Sequence, residues 1–304
     1  MKVGKTLRDQ IQDGDFIVTA EYLPRAETEG VALKAALQAL QRIPSAVNVS
    51  DNPFGVIMSS LAASVLLAQS GIQPIYQVVT RDRNRIAIQS DLLGAASLGI
   101  RNMLCLSGYH QTLTACSESA NVYDIDSTQL LAMVKNMKNG NLQNGAKING
   151  AFSMVTGAVA NPSLRPLELN MLRLSQKVEC GADFIQTQAV FDAAEFEQWL
   201  AAAQHNGIDA KTAILAGVFP LESADEAETL RKTFTEFQIP DGVIERLKSA
   251  GDEKAQKKEG LAICLETIHA LKNMNGVRGI HILSGGKEEI IPQLLEESGL
   301  SSSR

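Results

Sequence analysis

The sequence predicts a single-domain α/β fold, a (β/α)8 TIM barrel, from three observations. Short apolar runs alternate with longer amphipathic ones to the end of the chain, eight strand candidates can be read, and no Gly-x-Gly-x-x-Gly follows the first of them. Nearly continuous apolar strands belong to parallel sheets covered on both faces, and eight strand–helix units close a barrel. An open doubly wound sheet is the rival, because the same alternation builds it. The barrel takes about 250 residues. The 304 residues here therefore leave room for a polar loop insertion at about 108–126 and a charged helical insertion at about 240–258.

Taken in order, the first strand is Phe16–Leu23, an apolar, β-branched run that carries one carboxylate, Glu21, and is stopped by Pro24. Helix Val31–Arg42 follows, then strand Ala46–Ser50, helix Val56–Ser70, strand Ile75–Thr80 and helix Ile86–Leu98. The second half repeats the pattern with strand Asn102–Leu106, helix Ser127–Lys138, strand Phe152–Ala158, helix Pro166–Cys180, strand Phe184–Gln188 and helix Ala193–His205. Strand Ala213–Phe219 leads into a long helical block, Ser223 to Met274, and strand Gly279–Leu283 into a last helix, Lys287–Leu295. Each run has the period of its element, near 3.6 for the helices, and length separates the two types. Gly71, Gly99, Gly140, Gly181 and Gly207 sit just past periodic runs, where a left-handed C-cap is expected. Asp126-Ser127 and Ser223 read as N-caps, Pro240-Asp241 as a helix start, and the Ser301–Ser303 tail as a frayed end.

Composition narrows the function. With 45% hydrophobic residues the chain can bury a full core. A formal charge of −6 with both signs interspersed lacks the basic face that a nucleic-acid backbone requires. The four cysteines and four histidines show no metal-ligand spacing, which reads as free thiols in a reducing compartment and no metal site. The first 15 residues are polar, and nowhere is there an uninterrupted apolar run of about 18 residues, so a soluble, cytoplasmic protein with no membrane contact is expected.

Chemistry on such a barrel belongs at the C-terminal strand ends. There the sequence offers Glu21, then Asn48 and Ser50, Gln77 with Thr80-Arg81-Asp82 and Asn84, Ser107-Gly108-Tyr109, Asn161, Thr187-Gln188 and Gly285-Gly286-Lys287. Small residues and amides dominate. That lining suits a large, flat, hydrogen-bonding ligand. A carboxylate at the end of a buried strand loses water, its pKa rises, and it becomes a proton donor near neutral pH. Plainer readings stand beside these: Glu21 as a solvated edge residue, Arg81-Asp82 as a surface ion pair, Asn161-Pro162 as a turn, and Gln188 as a hydrogen bond within a barrel layer.

Several motifs are shared with a known family. Ala20-Glu21-Tyr22-Leu23-Pro24, Thr80-Arg81-Asp82-Arg83-Asn84, Leu98-Gly99-Ile100-Arg101-Asn102, Tyr123-Asp124-Ile125-Asp126-Ser127, Lys177 to Phe184 and Gln186-Thr187-Gln188-Ala189-Val190-Phe191-Asp192 resemble, in order, those of the methylenetetrahydrofolate reductases. The similarity runs from about Asp15 to Leu300 and is greatest to the short, single-domain forms of anaerobic one-carbon metabolism. The resemblance implies a flavin, FAD or FMN, across the strand ends of a (β/α)8 barrel. It also implies reduction of 5,10-methylenetetrahydrofolate to 5-methyltetrahydrofolate, with electrons from NAD(P)H or a partner redox protein. Glu21 matches the family's general acid, which helps the substrate ring open to an iminium, and Gln188 matches the residue that bonds the pterin. Ser50, Gln77, Ser107, Gly108, Ala160, Asn170 and Lys177 fall at or near flavin-contacting positions, Lys177 being suited to the cofactor's phosphate. Lys287 aligns with a cation near the folate's glutamate tail.

Two departures matter. Gly108-Tyr109-His110 stands where the family has Gly-Asp beside the flavin's pyrimidine edge, and Gln77 stands where a histidine is common. A neutral Tyr109 beside the flavin removes a charge, which raises the flavin's potential or changes its donor. His110 reads as an ordinary loop histidine. Tyr109 also sustains a second expectation, a folate- or flavin-binding subunit of a larger redox or methyl-transfer complex with low activity alone. A pterin-binding methyl-transfer barrel is a third. Assembly as a homo- or hetero-oligomer is left open.

Overall fold

A computed structural model describes residues 5–301. Eight parallel strands close on themselves in sequence order: β1 (Ile17–Tyr22), β2 (Ala46–Val49), β3 (Pro74–Val79), β4 (Asn102–Leu106), β5 (Val155–Ala160), β6 (Phe184–Ala189), β7 (Ala213–Val218) and β8 (Val277–Ile282). The ring shuts where Thr19 of β1 pairs with His281 of β8. Alternation along each strand sends every second side chain inward. The lowest inward layer is apolar, with Ile17, Ile75, Leu104, Val155, Phe184 and Leu215 in one cluster. Gly157 opposes the Phe184 ring so closely that a Cβ there would sit 2.2 Å from the ring edge, so only glycine leaves room for it.

A helix absent from the sequence expectation, α1 (Leu7–Asp13), precedes β1. The stretch is polar except for Leu7 and Ile11, and one helical turn brings both against the barrel floor, where Leu7 is fully buried. A Thr6–Asp9 capping box starts this helix.

Outside the strands run α2 (Val31–Leu40), α3 (Ser60–Gln69), α4 (Arg85–Ser97), α5 (Ser127–Lys138), α6 (Leu167–Glu179) and α7 (Ala193–His205). The long block after β7 is three helices, α8 (Ala224–Thr233), α9 (Asp241–Ala250) and α10 (Glu253–Lys272), broken at Pro240 and Gly251. The chain closes with a 3-10 turn, Glu288–Ile290, and α11 (Ile291–Glu297).

Boundaries shift where local pattern and packing disagree. Residues 56–59 are loop because the Ser59 side chain caps α3. Strand β5 starts three residues later than Phe152, since the first ladder partner of β4 Asn102 is Val155. Asp126 caps α5 and Ser223 caps α8 through their side chains. The expected insertion at about 108–126 is a loop with one 3-10 turn at Gln111–Leu113, and that at about 240–258 spans α9 and the start of α10. All but the first residue of the Ser301–Ser303 tail, and residues 1–4 of the polar N-terminus, lie outside the described residues.

Candidate functional site

A cavity of about 400 Å³ opens at the C-terminal mouth of the barrel. Glu21, Gln77, Gly108, Tyr109 and Gln188, five of the residues expected from sequence, border it. Glu21 ends the inward row of β1 and is half-buried. It accepts a hydrogen bond from Ser50 Oγ at 2.8 Å. Loss of water pushes its pKa above the ordinary 4.5; the bonds from Ser50 and from the Gly285 N–H oppose the rise, and the nearby Glu288 carboxylate adds to it. Ser50 is buried behind Glu21, so it serves the acid directly. Gln77 is buried on β3 and borders the cavity.

Sequence reasoning missed Glu288, His281 and Gln186. Glu288 is buried and accepts the Leu23 N–H at 3.0 Å, holding the β1 loop beside Glu21. His281 and Gln186 are inward residues of β8 and β6, one layer below the mouth, and both line the cavity. His281 sits inside an apolar run and Gln186 in the motif read for Gln188, and the signal that could have found both is the inward parity they share with Glu21 and Gln188.

The roof is aromatic. Tyr109 stacks on Phe54 with ring centroids 5.9 Å apart and packs at a tilt against Phe234 at 5.2 Å, so the loops after β2, β4 and α8 meet over the cavity. The Tyr109 hydroxyl donates to Glu236. Burial and the Glu236 charge both push the phenol's pKa up. His110 lies outside this arrangement, exposed and bonded to Thr112 and Asn121.

A second cavity of about 250 Å³ adjoins the first and shares Leu106 and Val159 with it. Ser107, Ala160, Asn170 and Lys177 line it, together with Arg173, which was not expected. Asn170 Nδ2 donates to the carbonyls of Asn161 (2.7 Å) and Leu164 (3.1 Å), which fixes the loop after β5. Lys177 Nζ donates to the Val159 carbonyl at 2.6 Å. Its pKa is lowered by burial and by the Arg173 guanidinium.

Lys287 is placed differently from the other expected residues. Its ammonium is 3.0 Å from Glu222 and also bonded to Glu226, above the Phe219 ring, so its charge is already matched within the chain.

The Thr80–Asn84 motif proves to be a brace. Arg81 is 1% exposed, which removes the surface ion-pair reading. It bonds Asp82 and donates to the carbonyls of Asn52 (2.7 Å) and Tyr109 (3.1 Å), tying the loops after β2 and β4 together. Arg83 pairs with Asp51 and Asp91, and Asn84 caps α4.

An acid and amides border a largely apolar cavity at the mouth of a (β/α)8 barrel, a lining suited to a flat heterocyclic ligand. The relatives narrow this class. The sequence profile of the family described as "Methylenetetrahydrofolate reductase" matches residues 6–299, so the chain belongs to that family. A Caenorhabditis elegans protein named probable methylenetetrahydrofolate reductase (NADPH) is 23% identical over 80% of this chain and 34% of its own length. Methylenetetrahydrofolate reductase 2 of Schizosaccharomyces pombe is 24% identical over 98% of this chain and 48% of its own. The chain thus spans half or less of the curated relatives it matches. Among solved structures, an uncharacterized Clostridium thermocellum protein described as binding two copies of 5-methyl-5,6,7,8-tetrahydrofolic acid superposes with a TM-score of 0.64 at 15% identity, covering 97% of this chain and 98% of that one. That likeness carries the fold.

Proposed function

We propose that the chain is a flavin-dependent oxidoreductase that reduces 5,10-methylenetetrahydrofolate to 5-methyltetrahydrofolate, with Glu21 as general acid. The observation that carries this is Glu21 itself: a carboxyl group with a raised pKa at the mouth of an apolar cavity, held by Ser50 and facing a space that Gln77 and Gln188 also border. Ring opening of the substrate needs a proton on the departing nitrogen, and a carboxyl group whose pKa burial raises is suited to donate it. Gln188 offers an amide donor and acceptor to the edge of a pterin, and Gln77 offers the same to the flavin.

The second cavity supports a phosphate-bearing cofactor. Lys177 and Arg173 bring two cations to one space, and their mutual repulsion is relieved by an anion between them. Ser107, Ala160 and Asn170 complete that wall, and the shared Leu106 and Val159 let one ligand run from this cavity to the next. These residues fit FAD or FMN. When bound, the flavin supplies the hydride. NADPH in the name of the nematode relative supports NAD(P)H as the electron source, and a partner redox protein is the alternative. Free thiols at Cys105, Cys116, Cys180 and Cys264 suit a reducing cytoplasm. Among the described residues no helix is long and apolar enough to cross a membrane.

A second reading rests on Tyr109. Its ring and hydroxyl are committed to Phe54, Phe234 and Glu236 at the place where the family has an aspartate. A folate-binding subunit that works only with a partner accounts for this, and the methyltetrahydrofolate bound by the Clostridium thermocellum neighbour favours it. The visible spectrum separates the two. The purified protein is titrated with FAD or FMN, and 5-methyltetrahydrofolate is then added to the oxidised form. Flavin uptake followed by bleaching is expected; folate binding with no flavin uptake would select the subunit reading.

A further inference from the structure

One buried titratable side chain at the cavity has no part in the proton transfer above. His281 is 3% exposed, pairs in register with Thr19, and lies one inward position below Glu21 at the cavity floor. Its Nδ1 is 2.9 Å from Thr19 Oγ1 and 3.3 Å from Gln186 Nε2. Gln186 Nε2 donates to Thr19 Oγ1 at 3.1 Å and to Asn48 Oδ1 at 3.0 Å, and Asn48 Nδ2 donates back to Gln186 Oε1 at 2.7 Å.

With the Gln186 amide nitrogen turned toward Thr19, the hydroxyl oxygen receives an N–H. In that arrangement the hydroxyl directs its own hydrogen to the lone pair of His281 Nδ1, which places the ring proton on Nε2. Sealed, unpaired side-chain atoms occur at Ser64, Thr80, Arg83, Trp199 and Thr212, and His281 Nε2 is not among them. It has no protein partner among the described residues either, so this N–H opens on the cavity that the ring borders. Burial depresses the imidazole's pKa to about 3, so near neutral pH the ring orients a ligand and does not exchange protons with it.

We infer that His281 is a donor of fixed tautomer whose Nε2–H binds an acceptor atom, a ring nitrogen or carbonyl oxygen, on the pterin of a reduced folate held beside Glu21. The inference rests on the folate reading and adds a substrate-binding residue to it, with Thr19, Gln186 and Asn48 as the positioning layer beneath.

The test is nuclear magnetic resonance of the full chain labelled with ¹⁵N-histidine. Its four histidines are assigned by loss of one signal in His281→Gln. In the free protein His281 should show a protonated Nε2 and a bare Nδ1 from pH 5 to 8. Addition of 5-methyltetrahydrofolate to calorimetric saturation should move the Nε2 proton downfield and slow its exchange. Saturation with no change at Nε2 would overturn the inference and leave the folate reading standing; no calorimetric binding would remove both. Thr19→Val should let an Nδ1–H form appear. His281→Phe should weaken folate binding about tenfold, the loss of one hydrogen bond, while His281→Gln, which keeps an N–H near the same place, should retain most of it. Equal losses in the two would assign His281 to packing alone.

Discussion

In the proposed reaction Glu21 is the acid, and burial of its carboxyl group favours the neutral form. A carboxyl group with a folded-state pKa above 4.5 donates protons below that raised value and loses the ability above it. Folate reduction should therefore fall on the alkaline side with a limb displaced upward from the ordinary carboxylate range, measured as kcat/KM against pH. Glu21→Gln should remove this limb and lower folate turnover by about 10²–10⁴, the usual worth of general acid catalysis, while reduction of the flavin by its donor survives. Stability follows the same linkage. Below pH 4.5 the group is protonated folded and unfolded; as pH rises through the folded pKa, the unfolded chain gains the advantage of ionising first. The gain in melting temperature of Glu21→Gln over the parent should grow with pH, and a gain that is flat with pH would deny the raised pKa.

Among the elements, α10 and the loop that carries Tyr109 show how helices and loops position the mouth. Gly260 of α10 lies against the Leu221 carbonyl, where a Cβ would come within 1.8 Å, so the helix meets the β7 loop backbone to backbone. Gly260→Ala should destabilise toward the upper end of the ~1–3 kcal/mol typical of overpacking. Gly242→Ala in α9, with nothing within 4 Å, should stabilise by about 0.5–1 kcal/mol. Denaturant unfolding of the pair checks both signs. Tyr109→Phe keeps the ring contacts and deletes the bond to Glu236. Amides of residues 234–240 should exchange faster by hydrogen exchange, consistent with a bond to a charged acceptor worth about 1.5–3 kcal/mol. Unchanged exchange would mean that ring packing alone holds the roof.

For the whole molecule, the barrel is plugged below and open above. The apolar floor, sealed by Leu7 of α1, leaves the mouth as the place where a ligand finds inward polar groups. A ligand bound there by the folded chain alone stabilises all of it by about 2.7 kcal/mol at a hundredfold excess over Kd. Trp199, the one tryptophan, is fully buried against Phe196 on α7 and reports global unfolding. 5-Methyltetrahydrofolate should raise the midpoint of its fluorescence transition in a concentration-dependent way; a midpoint indifferent to folate would count against binding at the mouth.

The fold was readable from sequence because parity and period are local: eight apolar runs of strand length, each followed by a helical run, admit few closures. Glu21 and Gln188 were readable for the same reason, as polar residues at the ends of strands. The Thr80–Asn84 motif was conspicuous, yet only the tertiary structure assigns its work, since Arg81 meets Asn52 and Tyr109 through contacts about 29 residues away in the chain. The pairing of Lys287 with Glu222 and Glu226 was hidden likewise, because the partners lie on the neighbouring β/α unit, more than 60 residues earlier. Sequence by itself determined the barrel, the acid and the amides that face its mouth. Tertiary structure decided which charges are spent within the chain, where the cavities lie and that the His281 ring borders one of them, since burial and hydrogen-bond partnership exist only once the strands have closed.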